Sequence, residues 1–112
     1  DTDRSRGLGD VYKRQSYIKI DSEFLSKKYE VTLTDRTEID FDKKGNWTEV
    51  DCKKGAVPAA LIPVSIKDYV KKNFPNEIIT KIERKGTGIE VELANDFSLK
   101  FNKKGQFVSM DD

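Results

Sequence analysis

The sequence predicts an α+β fold of two tandem pseudo-repeats, each a helix plus a three-stranded antiparallel sheet, with the first helix missing. Three observations predict it. Tyr29–Cys52 (YEVTLTDRTEIDFDKKGNWTEVDC) lies over Ile89–Asp112 (IEVELANDFSLKFNKKGQFVSMDD) at a fixed offset of 60 residues without a gap. Glu30, Val31, Leu33, Phe41, Lys43, Lys44, Gly45 and Asp51 recur identically, which marks a duplicated unit. Within each copy apolar and polar residues alternate, and between the copies lies a proline-bounded stretch with an apolar stripe at helical spacing.

The elements follow in chain order. Tyr17–Asp21 (YIKID) resembles Ile79–Glu83 (ITKIE), so the match extends upstream of Tyr29 with two extra residues in the first copy's turn. Tyr29, Val31 and Leu33 alternate with Glu30 and Thr32, as Ile89, Val91 and Leu93 alternate with Glu90 and Glu92. That period of two describes a strand with one buried face. Ile39 and Phe41, like Leu99 and Phe101, continue that face. The six strands then share an inner face of Ile18, Ile20, Tyr29, Val31, Leu33, Ile39, Phe41, Ile89, Val91, Leu93, Leu99 and Phe101. DKKGN (Asp42–Asn46) and NKKGQ (Asn102–Gln106) are hairpin turns, with Gly45 and Gly105 in the left-handed position. A last strand follows each.

Between the copies, Pro58 and Pro63 exclude a strand, and Pro63 suits a first helical turn. Ile66, Tyr69, Val70 and Phe74 share one face of a helix over 63–74, and Lys67, Lys71 and Lys72 take the wet face. Asn73-Phe74-Pro75 ends it. By symmetry a helix should precede Tyr17, but residues 1–15 show no amphipathic period and contain Gly7 and Gly9. The expected organisation is therefore a non-native tail at 1–15 and one domain at 16–112, its repeats being 16–54 and 55–112.

Charged residues make up 37% of the 112 and the hydrophobic set 36%, a composition whose apolar residues still cluster periodically. Lys plus Arg is 21 against 20 for Asp plus Glu, so no single-sign field argues for nucleic acid. No apolar run approaches the ~18–20 residues of a membrane helix, so no membrane insertion is expected. The absence of histidine removes the commonest general base and zinc ligand. A lone cysteine, Cys52, forms no internal disulfide and has no standard base to activate it.

Asp40, Asp42, Gly45 and Asp51 fall in the frame of a calcium loop. Lys44 stands where an oxygen ligand is needed, and the closing glutamate is missing. A hairpin turn explains both copies, so no cofactor and no metal is expected. Glu30, Glu38, Asp40, Glu90 and Glu92 should share a solvated outer face with Lys19, Lys81 and Lys100 rather than do acid–base work. Trp47 and Phe107 stand at equivalent positions after the two turns. Strand parity turns them away from Val50 and Met110, onto the outer face, as contact residues; a bulge would turn them into the core. Both readings stay open. The pairs Lys43-Lys44, Lys53-Lys54 and Lys103-Lys104 are solubilising turn residues, with Lys44 and Lys104 at the hairpin tips.

The stretches TEIDFDKKGNWTEVD, GAVPAALIPVSIKDYVKKNFP and KIERKGTGIEVELANDFSLKFNKKGQFVSMDD resemble the PepSY-like, beta-lactamase-inhibitor-like family over about Tyr17 to Asp112. The resemblance implies a fold like that of the beta-lactamase inhibitor protein. It also implies a protein exported to the periplasm or beyond in a Gram-negative bacterium. It carries over no catalytic residue. This sequence departs from the pattern at its start, where the first helix is expected.

The function expected is a non-enzymatic exported binding module. It would hold a protein or peptide of the cell envelope through the outer sheet face and hairpin tips, with Trp47, Phe107, Lys44 and Lys104 as contact residues. The alternative is a proteinaceous inhibitor of a secreted or periplasmic hydrolase, with a hairpin plugging the active site. Without its helix, the first half's apolar face is expected to lack cover and to promote self-association.

SRGLGDVYKRQ (Ser5–Gln15) is neither a phosphate loop nor a signal peptide: the further glycine or Lys-Ser/Thr is missing, and so is an apolar core. GAT GTG TAT AAG AGA CAG, the end of a common transposon-based sequencing adapter, encodes Asp-Val-Tyr-Lys-Arg-Gln. The preceding adapter bases encode Ser-Arg-Gly-Leu-Gly in the same frame. The stretch is thus expected to be an artefact of metagenomic assembly.

Overall fold

Alternating runs of apolar residues become strands β1 (Tyr17–Glu23), β2 (Lys28–Leu33), β3 (Glu38–Phe41), β4 (Trp47–Asp51), β5 (Ile79–Lys85), β6 (Gly88–Leu93), β7 (Ser98–Asn102) and β8 (Phe107–Asp111). The computed structural model describes residues 17–23, 28–53 and 55–112, with side chains from Tyr29 onward. The expectations for residues 1–15, for a helix before Tyr17 and for the side chains of Ile18 and Ile20 lie outside the described residues. All eight strands join one antiparallel sheet in sequence order, β1 to β8.

Among the described residues eight strands replace the six expected. Each half opens with a fourth strand, β1 and β5, over the matching YIKID and ITKIE stretches, and in β5 a register shift between Ile79 and Lys81 interrupts the alternation. Ile79 and Ile82 are both buried although three residues apart. A bulge inserts one extra residue and so inverts the parity on either side of it. A comparable shift lies between Tyr17 and Lys19 in β1.

Register explains the core. Val31, Ile39, Val50, Ile82, Val91 and Leu99 stand opposite one another across β2 to β7 as one apolar row, and each is at least 93% buried. Fully burying such a side chain stabilises the fold by about 1.5–3 kcal/mol, so this row is the spine of the sheet. Leu33, Ile79, Leu93 and Phe101 extend the core on the same face. Of the expected inner face, Phe41 and Ile89 are half-buried and Tyr29 is exposed.

The helix α1 (Val64–Asn73) follows a single 3-10 turn at Ala59–Leu61. It buries Ile66 and Val70, as the apolar stripe predicts. The connection leaves β4 and returns to β5 at the same end of the sheet, because the two pair antiparallel. Cys52 N–H donates to the Thr80 carbonyl and Val57 N–H to that of Ile79. Tyr69 meets Phe101 edge-on with ring centres 5.5 Å apart, and Phe74 meets Phe97 at 6.3 Å. These contacts seat the helix on the second half of the sheet.

The first half's inner face is not the bare surface expected. Val31, Leu33, Ile39, Trp47 and Val50 are buried in one cluster with Val57, Leu61 and Ile62 of the crossover. An apolar segment leading into α1 thus belongs to the same core as the first half, which the repeat symmetry alone did not suggest.

Gly88 opens β6 at φ +153°, where an added Cβ would lie 2.0 Å from the Phe101 carbonyl oxygen. Gly86, two residues earlier, has open space around it. Gly88→Ala should therefore cost about 2 kcal/mol or more, read as a lower urea midpoint, whereas Gly86→Ala should leave the midpoint nearly unchanged.

Candidate interaction surfaces

Hairpin chemistry builds the tips. Asp42 Oδ1 accepts the backbone N–H groups of Lys44 (2.9 Å) and Asn46 (3.0 Å). Asn102 Oδ1 accepts those of Lys104 (2.9 Å) and Gln106 (3.0 Å) in the same way. Gly45 and Gly105 take φ +88° and +81°, a region that costs a side-chain-bearing residue energy. Both turns follow odd-numbered strands, so Lys43, Lys44, Lys103 and Lys104 are exposed at one end of the sheet. Burial works against the Asp42 carboxylate. The N–H groups of Asn46 and Lys44, with the charges of Lys44 and Arg84, nevertheless hold its pKa below the ordinary value. This oxygen serves the turn, and among the described residues no group of three potential ligands gathers to hold a metal.

Trp47 does not face outward. The β3–β4 register runs Asp40 to Glu49 and then Phe41 to Trp47, leaving Thr48 as an extra residue. The bulge turns Trp47 onto the inner face, where it is 3% exposed. Thr48 Oγ1 ties the bulge to the Asp40 carbonyl at 3.3 Å. The Arg84 guanidinium sits 3.9 Å from the Trp47 ring centre and donates to the Trp47 carbonyl. The outward reading of Trp47 is thereby corrected: strand parity fails across a bulge.

Phe107 follows the same geometry in β8, with a register shift between Lys100 and Phe101. It too lies on the helix side, stacked on Tyr69 at 4.7 Å and edge-on to Phe101 at 5.9 Å. It remains 40% exposed. Trp47 and Phe107 stand four strands apart, roughly 19 Å at ordinary strand spacing, so they do not form one site.

The outer face is a charged lattice. Glu30, Asp40, Glu49, Glu83, Glu90 and Lys100 oppose one another from β2 to β7. A parallel row holds Thr32, Glu38, Asp51, Lys81, Glu92 and Ser98. Lysines stitch parts of it together. Lys53 bridges Glu38 (3.0 Å) and Asp51 (3.6 Å), Lys85 meets Glu90 (2.6 Å) and Glu83 (3.9 Å), and Lys81 lies 3.7 Å from Glu49. The bonds to Glu38 and to Glu90 raise the pKa of Lys53 and of Lys85. A shallow depression of about 30 Å³ among Lys81, Glu83, Glu90 and Glu92 has room for a water or two, not a substrate.

Glu49, Asp51 and Glu83 were not placed on this face from the sequence, because the bulged strands β4 and β5 hid their parity. Arg84 was missed for the same reason. Burial pushes the Glu49 pKa up; Lys81 opposes this, and Asp40, Glu83 and Asp51 add to it.

The chain belongs to the PepSY-like, beta-lactamase-inhibitor-like family, which matches residues 27–109. It is similar to a "putative periplasmic protein of unknown function" from Bacteroides vulgatus, at 32% identity and TM-score 0.87 over 99% of this chain and 90% of that one. It is likewise similar to a "putative calcium-regulated periplasmic protein" from Bacteroides thetaiotaomicron, at 40% identity and TM-score 0.87 over 97% and 87%. A third, a "putative periplasmic protein" from Bacteroides vulgatus, is 34% identical at TM-score 0.85 over 97% and 88%. No curated protein matches the chain. Among the described residues no helix is long and apolar enough to cross a membrane.

Two outcomes follow from this geometry. Trp47→Ala should cost about 3–5 kcal/mol as a core truncation, and Phe107→Ala about 1 kcal/mol as a lost aromatic contact; equal small losses in urea unfolding would remove Trp47 from the core. Glu49 binds its proton more tightly folded than unfolded, so its charge lowers stability above the folded pKa. That loss is relieved as pH falls and is gone below the ordinary 4.5. Glu49→Gln should therefore raise stability near neutral pH by about 0.5 kcal/mol, with the gain vanishing in acid.

Proposed function

We propose that this member of the PepSY-like family is a non-enzymatic binding module of the periplasm that holds a basic protein segment on its outer sheet face. The observation that carries the reading is the row Glu30, Asp40, Glu49, Glu83 and Glu90, five carboxylates on five adjacent strands. Like charges on neighbouring strands cost stability. An extended basic partner crossing the strands would offset that cost along its whole length. The depression of about 30 Å³ on this face is too small for a small molecule, which needs a concave pocket, so a peptide lying across the strands suits it better. Lys44 and Lys104, on rigid turns at the rim, would meet acidic residues flanking the basic segment.

The absence of histidine and the pairing of outer carboxylates with lysines support a role without catalysis. The periplasmic setting is drawn from the three similar structures. Trp47 has no part in contact, being core, and Phe107 is only partly exposed, with its ring stacked on Tyr69. Inhibition of a hydrolase has one supporting feature, the two side-chain-capped lysine hairpins at one end of the sheet.

Fluorescence anisotropy with a short oligolysine peptide, and oligoglutamate as control, tests the reading. Oligolysine should bind and weaken with added salt. Glu83→Lys with Glu90→Lys should reduce its affinity at least tenfold, while Lys44→Ala with Lys104→Ala should change it little. Equal binding by wild type and the double-lysine variant, or preference for oligoglutamate, would overturn the proposal.

A further inference from the structure

The strands β4 and β8 are paired alike on one side and differ on the other. In β3–β4, Glu38, Ile39, Asp40 and Phe41 meet Asp51, Val50, Glu49 and Trp47. In β7–β8, Ser98, Leu99, Lys100 and Phe101 meet Asp111, Met110, Ser109 and Phe107. The register is the same at an offset of 60, bulge included. Exposure is not. Trp47 is 3% exposed and Val50 0%, against 40% for Phe107 and 46% for Met110. Beyond β4 lies β5, and among the described residues nothing lies beyond β8.

The internal junction shows what such an edge accepts. Across β4–β5, Glu49 meets Glu83, Val50 meets Ile82 and Asp51 meets Lys81. One other strand carries the register of β5, and that is β1. Lys19, Ile20 and Asp21 pair with Thr32, Val31 and Glu30 of β2, as Lys81, Ile82 and Glu83 pair with Glu92, Val91 and Glu90 of β6. The chain's own β1 lies at the opposite edge of the sheet, seven strands away, and does not pair with its own β8.

We propose that the β8 edge is an interaction site for the β1 edge of a second copy of this chain, which extends the sheet head to tail. Transposing the β4–β5 register sets Asp111 opposite Lys19, Met110 opposite Ile20 and Ser109 opposite Asp21. The acid–lysine pair is kept, and the like-charge pair Glu49–Glu83 becomes Ser109–Asp21. The junction between copies is therefore electrostatically better matched than the one inside the chain. Strands that must stay single are protected by lysine or proline, and β8 (Phe107–Asp111) contains neither. Because the contact joins two different edges, it is heterologous and grows open chains unless the twist closes a ring.

The test is the mass of the chain from micromolar to millimolar concentration, by size-exclusion chromatography with light scattering, joined to disulfide trapping. Cys52 N–H points to β5. Strand alternation then turns the N–H of Val50, and by equivalence that of Met110, to the same side. Met110→Pro thus removes a donor from the open edge without removing one from the β7 ladder. Wild type should form dimers and longer species as concentration rises, and Met110→Pro should remain monomeric. If that variant fails to fold by circular dichroism, Met110→Lys supplies the same block. In a Cys52→Ser background, Lys19→Cys mixed with Asp111→Cys should give a disulfide heterodimer, with Asp111→Cys alone giving little. A wild type that stays monomeric at millimolar concentration overturns the proposal. So does crosslinking of Asp111→Cys to itself as readily as to Lys19→Cys.

Discussion

One extra residue in β4, Thr48, decides which side of the sheet receives the chain's single tryptophan. Without the bulge, alternation from Val50 would put the indole on the charged face. With it, Phe41 and Trp47 stand opposite each other on the helix side. The consequence is more than local. Trp47 fills the corner where the two halves of the sheet meet, and its ring is the platform on which Arg84 of β5 lies. The second half has the same bulge with Val108 in place of Thr48, a residue without the hydroxyl that ties Thr48 to the Asp40 carbonyl.

The bulges also explain how a chain of nearly neutral total charge becomes two-sided. Inside, the row from Val31 to Leu99 removes apolar surface from water on six adjacent strands. Outside, the same pleat forces the intervening residues together, and acids predominate among them. Lys53, Lys81, Lys85 and Lys100 are interspersed among them, while other lysines stand on the helix and at the hairpin tips. A net charge of +1 therefore conceals separated fields, and the outer one is set by backbone register rather than by flexible side chains.

Legibility in the sequence tracked regularity of alternation. The strands at Tyr29–Leu33 and Ile89–Leu93, the two glycine turns and the helix bounded by Pro63 and Pro75 obey simple periods, and each was readable. Ile79-Thr80-Lys81-Ile82 does not, because Thr80 sits in a bulge with its hydroxyl bonded to the Glu92 carbonyl. A period-two reading therefore put Lys81 on the outer face but left Glu83 and Arg84 unplaced. Of the candidate contact residues, Lys44 and Lys104 stand where the turns predicted, whereas Trp47 depended on a bulge that alternation alone does not announce. The apolar crossover Val57–Ile62 was equally opaque, since prolines excluded a strand there without saying which half of the core the segment would join.

The β4–β5 seam shows how these effects balance. On the outer face it opposes Glu49 to Glu83, a like-charge pairing that costs up to about 1 kcal/mol, softened by Lys81. On the inner face Val50 and Ile82, both fully buried, contribute about 1.5–3 kcal/mol each. The Arg84–Trp47 contact adds about 0.5–2 kcal/mol. The inner terms exceed the outer cost severalfold. The seam is therefore held by what the helix side buries, and the acidic face is free to carry a charge pattern that would be too costly in a sheet lacking that support.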